Sequence, residues 1–148
     1  MKFLVEESLG RLVKELRILG YDTVIVKSIN IDAIITLANR QNRIYLTRSG
    51  KQAKLKQQFL RRLIKSVNHI EQLQEIQDLV GYHEENLFSR CLKCNARLEK
   101  VKEPQGILPE SVLKNQAEFS YCKHCRKDFW KGTHHRDMEK RMQNIFRK

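Results

Sequence analysis

The sequence predicts an α/β protein, a parallel sheet flanked by helices. Three observations lead there. Short apolar or β-branched runs alternate with segments of helical period over roughly the first eighty residues. The 148-residue length suits one compact domain with a small appendage. The 41% apolar fraction supplies one modest core. Six Gly and two Pro exclude collagen-like and low-complexity sequence, and no period of roughly 20–50 residues marks a repeat array. No run of about 18 apolar residues occurs, so no membrane span is expected. Residues 1–20 alternate charge with Leu and Val and do not read as a secretory signal. The expected location is the cytoplasm.

Each element has its own reason. Phe3-Leu4-Val5 predicts the first strand. Leu9, Leu12, Val13, Leu16 and Leu19 follow at helical spacing, and Gly20 stands where a left-handed residue would end that helix. Thr23-Val24-Ile25-Val26 is β-branched and predicts the second strand. Asn30 is placed to cap a helix that buries Ile31, Ile34, Ile35 and Ala38. Arg43-Ile44-Tyr45-Leu46 predicts the third strand, followed by a basic helix from about Lys51 to Leu60 and a short fourth strand near Leu63-Ile64. Asn68-His69-Ile70-Glu71 matches a capping box, opening a helix with Ile70, Leu73, Ile76 and Val80 inward. Composition shifts after Gly81, which sets an α/β domain over 1–82 apart from a second region over 83–148. Tyr82 to Ser89 reads as a linker or short strand. The final stretch carries Met138, Met142, Ile145 and Phe146 on one face, a C-terminal basic helix that docks or seeks a protein partner.

Charge is the first functional signal. Lys plus Arg is 29 and Asp plus Glu is 17, a net +12. Nine bases from Arg40 to Lys65 are uninterrupted by any acid, and nine more from Cys122 onward face only Asp128, Asp137 and Glu139. Such density attracts a polyanion, and RNA is the expected partner. A membrane surface fits less well, because no basic helix carries a broad Trp/Phe/Leu face. The expected RNA contacts are Arg11, Arg40, Arg43, Lys51, Lys54, Arg61, Arg62, Lys127 and Lys131.

The second signal is metal-ligand spacing. Cys91-Leu92-Lys93-Cys94 and Cys122-Lys123-His124-Cys125 hold every cysteine of the chain. Two residues between thiolates let both sulfurs wrap one side of a tetrahedral ion, and two such turns complete a four-cysteine set. The 27 residues between the pairs exceed ordinary ribbon spacing, so Ile107 to Glu118 is an inserted loop or helix. Free buried thiols and a redox dithiol are the alternatives, but a reducing cytoplasm disfavours disulfides. A closed four-cysteine site leaves no position for water, so its Zn²⁺ is expected to hold structure. Phe129 and Trp130 either pack the ribbon or stack on an unpaired base beside Lys127 and Lys131. His134 and His135 read equally as ligands, phosphate contacts or surface.

Ligands of open parallel sheets gather at the carboxyl ends of the strands. Strand one ends at Glu6-Glu7, the second helix begins at Asp32, and strand three ends at Thr47-Arg48-Ser49. A metal-dependent nuclease clusters carboxylates around Mg²⁺ or Mn²⁺ to activate water and offset charge on the phosphate. Glu6 and Asp32 are the two candidate ligands. The same acids serve equally as first-turn charges that complement helix macrodipoles.

At these residues the chain resembles a known family. Phe3-Leu4-Val5-Glu6, Leu9-Gly10-Arg11-Leu12, Leu16-Arg17-Ile18-Leu19-Gly20-Tyr21-Asp22, Leu37-Ala38 and Arg43-Ile44-Tyr45-Leu46-Thr47-Arg48 carry the N-terminal half of the likeness. Phe88-Ser89-Arg90-Cys91, both knuckles and Phe129-Trp130-Lys131-Gly132-Thr133-His134 carry the rest. The combination is similar to the PIN-like RNase domain named from the C-terminus of the Mutator exonuclease. That resemblance implies a PIN-like α/β fold, a C-terminal zinc ribbon and an endoribonuclease ancestry. Two departures accompany it: the family's first strand ordinarily ends in Asp where this chain has Glu6, and Leu-Thr-Arg-Asp becomes Leu46-Thr47-Arg48-Ser49.

Three functions follow. A metal-dependent endoribonuclease would use Glu6 and Asp32 on the cation, Thr47 and Ser49 in support, and Arg48 on a phosphate. A non-catalytic RNA-binding module would keep the basic groove without the metal site. An adaptor would bind a protein through the ribbon and terminal helix.

Overall fold

The computed structural model describes residues 1–27 and 30–147; Lys148, counted among the C-terminal bases, lies outside them. Strand β1 (Lys2–Glu6) is fully buried at Phe3, Leu4 and Val5, as a strand covered on both faces must be. It runs parallel to β2 (Asp22–Val26) on one side and to β3 (Arg43–Thr47) on the other, and β4 (Arg61–Leu63) pairs parallel with β3. The sheet order is therefore β2-β1-β3-β4.

Alternation along β1 divides the core. Phe3 and Val5 face a cluster with Leu9, Leu12 and Leu16 of helix α1 (Gly10–Ile18) and Leu73 of helix α4 (His69–Glu75). Leu4 faces the other way, with Tyr45 and with Ile34 and Ala38 of helix α2 (Ile31–Gln41). One face is thus covered by α1 and α4, the other by α2.

The helix ends follow the sequence signals. Tyr21 N–H donates to Leu16 O at 3.0 Å and Gly20 N–H to Arg17 O at 3.0 Å, the paired bonds of a Schellman ending. Gly20 has φ +91, and a Cβ there would run into the Asn86 carbonyl. Asn30 Oδ1 accepts from Asp32 and Ala33 N–H, and Asn42 closes α2 at φ 52. Asn68 Oδ1 caps α4 through Ile70 and Glu71 N–H, but the reciprocal half of the box differs: Glu71 pairs with Ser66 Oγ, which accepts the Asn68 N–H.

Two expectations need correction. The basic helix expected from Lys51 to Leu60 shrinks to α3 (Gly50–Ala53). Beyond it Leu55 is the one aliphatic residue before Phe59, so no apolar stripe holds further helical turns on the sheet. The chain instead wraps the Arg61 guanidinium, which donates to Ala53 O at 2.9 Å, Gln57 O at 2.8 Å and Leu55 O. The fourth strand begins two residues earlier than expected, at Arg61.

Past a 3₁₀ turn at Glu84–Asn86, the second sheet is antiparallel: β5 (Glu99–Val101), β6 (Phe119–Cys122) and β7 (Lys127–Trp130) in the order β5-β6-β7. The insertion between the knuckles carries a short helix, α5 (Glu110–Asn115). The C-terminal helix α6 (Thr133–Phe146) returns to the parallel sheet's side of the molecule, burying Met142 and Ile145 in the cluster of α1 and α4. Its apolar face is docked, and Arg141 reaches buried Glu15 of α1 at 2.8 Å. Among the described residues, no helix is long and apolar enough to cross a membrane.

Candidate functional site

The carboxyl end of the sheet brings Glu6 beside Thr47, since Val5 pairs with Leu46 one step before. Glu6 Oε2 accepts from Thr47 Oγ1 at 2.9 Å, and its Oε1 accepts from Arg48 N–H at 2.7 Å and Ser8 Oγ at 2.7 Å. Thr47 Oγ1 in turn accepts from Ser49 N–H at 2.9 Å. Ser49 Oγ caps α3 by accepting from Gln52 N–H, and Gln52 Oε1 accepts from the Tyr45 hydroxyl at 2.8 Å. One carboxylate therefore closes the ends of β1 and β3 into a hydrogen-bonded latch. Three donors fill most of its roughly four lone-pair positions. Asp32 lies exposed in the first turn of α2. Among the described residues, only the cysteines bring three or more Cys, His, Asp or Glu ligand atoms close enough for one metal.

Sequence reasoning passed over Glu75, which fastens the neighbouring strand in the same way. Its two oxygens accept from Lys65 N–H at 2.8 Å and Ser66 N–H at 2.7 Å, just after β4. Its position toward the end of α4, with no spacing to a partner in sequence, gave no signal for this role.

The basic residues divide into free and committed groups. Arg11, Arg40, Arg48, Lys51, Lys54, Lys65, Lys127 and Lys131 are exposed. Arg48 stands beside β4, with its Nη2 3.5 Å from Lys65 O. Three of the expected RNA contacts are already engaged by groups of the protein itself. Arg43 is 7% exposed and bound to Asp22 Oδ1 at 2.8 Å and Phe3 O at 3.2 Å. Arg61 is held by its own loop and lies over the Phe59 ring. Arg62 makes a two-pronged bond to Asp78 at 2.9 and 2.6 Å. Each sits on a strand: carbonyls alone hold Arg61, whereas Arg43 and Arg62 are shared between carbonyls and an acid.

The amino end of the sheet carries the cysteines. Cys91 Sγ lies 3.8 Å from Cys125 Sγ, Cys94 Sγ lies 3.5 Å from Cys122 Sγ, and all four sulfurs fall within 4.8 Å of one another. A tetrahedral ion with bonds of ~2.3 Å requires sulfur separations of ~3.8 Å, so the set fits a metal such as zinc. The four thiols are free of disulfides. Both knuckles turn through a left-handed residue directly after the second cysteine, Asn95 at φ 73 and Arg126 at φ 55. Burial raises the Cys94 thiol, but the Ala96 backbone and the neighbouring sulfurs outweigh it and bring it down to about 7. Cys125 is pushed up to about 12 by burial and by the adjacent thiols. Crowded sulfurs that resist ionising together are what a divalent cation relieves.

The knuckle is tied to the sheet. Asn95 donates to Asp22 Oδ1 at 2.8 Å and accepts from Thr23 N–H at 2.9 Å. Arg90 Nε donates to Gly20 O at 3.2 Å. In the ribbon, Trp130 pairs with Phe119 across β6 and β7 and is partly buried. His135 stacks on Phe88 with ring centres 3.5 Å apart, while His134 is exposed.

A parallel α/β sheet with a latched carboxyl end and, at its amino end, a ribbon whose four clustered cysteines fit a metal defines the class. The particular family follows from comparison: the family model described as "Mut7-C RNAse domain" matches residues 1–142, and the chain belongs to that family. No curated protein and no solved structure matches it.

Proposed function

We propose that the protein is an RNA-binding member of this RNase-domain family whose carboxyl end holds RNA without hydrolysing it, and that Zn²⁺ in the Cys91, Cys94, Cys122 and Cys125 set is structural. The observation that carries this reading is Glu6. Its carboxylate is engaged by Ser8, Thr47 and the Arg48 amide, and Ser49, at the position where the family resemblance expects an acid, caps α3 instead. A catalytic Mg²⁺ or Mn²⁺ needs concentrated negative charge, and Glu6 and Asp32 alone supply little beside Arg48, Lys51 and Lys65. Those exposed bases are suited to phosphates, whose binding releases counterions and weakens with salt.

The test incubates purified protein with a pool of structured and unstructured RNA in Mn²⁺, Mg²⁺ or EDTA. Retarded, intact RNA in all three is the expected result. Metal-dependent cleavage that disappears in Glu6→Gln would overturn it and establish an endoribonuclease working with Glu6 and Asp32. Cleavage that emerges only in Ser49→Asp would support loss of catalysis through that position. Absence of RNA binding, with salt-insensitive binding to a protein, would favour an adaptor.

A further inference from the structure

Arg17 of α1 is 6% exposed, and its hydrogen bonds end on backbone carbonyls rather than on an acid. Its Nε and Nη2 donate to Thr23 O at 3.1 and 2.9 Å, while Nη1 donates to Leu92 O at 3.0 Å and Lys93 O at 3.1 Å. Leu92 and Lys93 are the two residues between Cys91 and Cys94. One guanidinium therefore grips the turn of the first knuckle and the outer edge of β2. Thr23 is held on both sides, because its N–H goes to Asn95, the residue directly after Cys94. β2 is an edge strand, and the knuckle occupies backbone groups that an edge leaves open.

Charge points the same way. Asp22, the carboxylate of this end, already faces Arg43 at 2.8 Å and Arg90 at 4.0 Å. With Arg17, three guanidiniums stand against one carboxylate, leaving two positive charges in a part-buried region. A divalent ion held by four thiolates carries two negative ones. Buried charge without a partner is costly, and the loaded cluster is the counter-charge within reach. Burial lowers the Arg17 pKa, with Cys94 and Cys91 acting in the opposite direction.

We propose that Arg17 is a positioning residue of the metal centre, fixing the first knuckle through the Leu92 and Lys93 carbonyls and balancing the charge of the loaded site, so that metal binding and the order of β2 form one cooperative unit. The inference rests on the reading that the four cysteines take Zn²⁺. Asn95 is the second link, through Thr23 N–H and Asp22 Oδ1.

The test uses the full chain. Zinc content is measured first, and amide exchange is then followed with zinc bound and after chelation. Chelation is expected to speed exchange at Thr23 and its β2 neighbours at least tenfold, while the Arg48 amide, held by Glu6 at the far end, is unchanged. Competition with a chromophoric chelator should show Arg17→Met binding zinc about 10–100-fold more weakly, with Arg17→Lys intermediate because it restores the charge without the forked donors. If Arg17→Met does not fold, Asn95→Gly, which keeps the left-handed turn, and the wild-type exchange data decide. A Thr23 amide indifferent to chelation, or variants with wild-type zinc affinity, would overturn the proposal. So would destabilisation equal in the loaded and metal-free chains, the mark of a merely structural arginine. A protein that takes up no zinc overturns the metal reading itself, a separate failure.

Discussion

At the carboxyl end of the sheet an acid gathers donors, with Glu6 drawing in Thr47 from the end of β3, and Ser8 and the Arg48 amide from the chain just beyond β1 and β3. At the amino end arginines gather acceptors, and they come from far away in sequence: Arg17 reaches Leu92 and Lys93, and Arg90 reaches Gly20. The first arrangement is local to the sheet and leaves bases such as Arg48 and Lys51 free toward solvent. The second draws its bases inward and joins two regions of the chain. The comparison teaches that a positive side chain at a strand end says little until its neighbours are known. Arg43 and Arg48 bound the same strand, yet one is locked to Asp22 while the other is exposed.

The comparison can be broken most decisively at the metal. Cys91→Ser or Cys122→Ser should abolish stoichiometric zinc and unfold the C-terminal region, since structural sites of this kind contribute on the order of 10 kcal/mol of binding free energy. Elemental analysis with circular dichroism checks this, and unchanged zinc in both variants would sink it.

Next in size is the acid response of the amino end. Burial raises the Asp22 pKa, but hydrogen bonds from Arg43 and Asn95 outweigh it and hold the group below its ordinary value. The folded pKa lies under the unfolded one of about 3.9. The ionised form is thus favoured by folding, and its contribution is complete above about pH 4 and lost as pH falls through the folded value. The stability gap between wild type and Asp22→Asn, from denaturant titrations, should stay constant down to about pH 4 and then close.

Glu6→Gln sharpens the other side. It leaves one carbonyl oxygen where two carboxylate oxygens served three donors, and a loss of about 1–2 kcal/mol is expected. Amide exchange should quicken at Arg48 and Ser49 but not at Thr23. Smaller again, Arg48→Ala and Lys51→Ala should each reduce the salt slope of RNA binding by about one, measured by affinity against salt. Arg43→Lys should alter fold stability rather than that slope. The smallest effect belongs to Ser49→Asp, which changes stability by a few tenths of a kcal/mol because Asp caps a helix as well as Ser does.

Much of the fold was legible because local chemistry wrote it. Gly20, Asn30 and Asn68 closed or opened helices where their backbone and side-chain preferences require, and the apolar run Phe3-Leu4-Val5 marked the first strand. The paired knuckles were legible for the same reason, since two-residue spacing is itself a ligand geometry. The segment from Lys51 to Leu60 departs from its expected helix because its conformation depends on Arg61, whose carbonyl contacts carry no periodic signal. Glu75 and Arg17 were equally silent, each acting on backbone groups outside its own helix.

The sequence by itself determined the alternation of strands and helices, the four-cysteine set and the net charge of +12. Only the tertiary structure decided that the cysteines stand at the opposite end of the sheet from Glu6, and which of the basic side chains remain free. The reason is physical. Strand, helix and knuckle arise from periods and spacings of a few residues, whereas the fate of a charged group depends on the acceptors and opposite charges that long-range packing places around it.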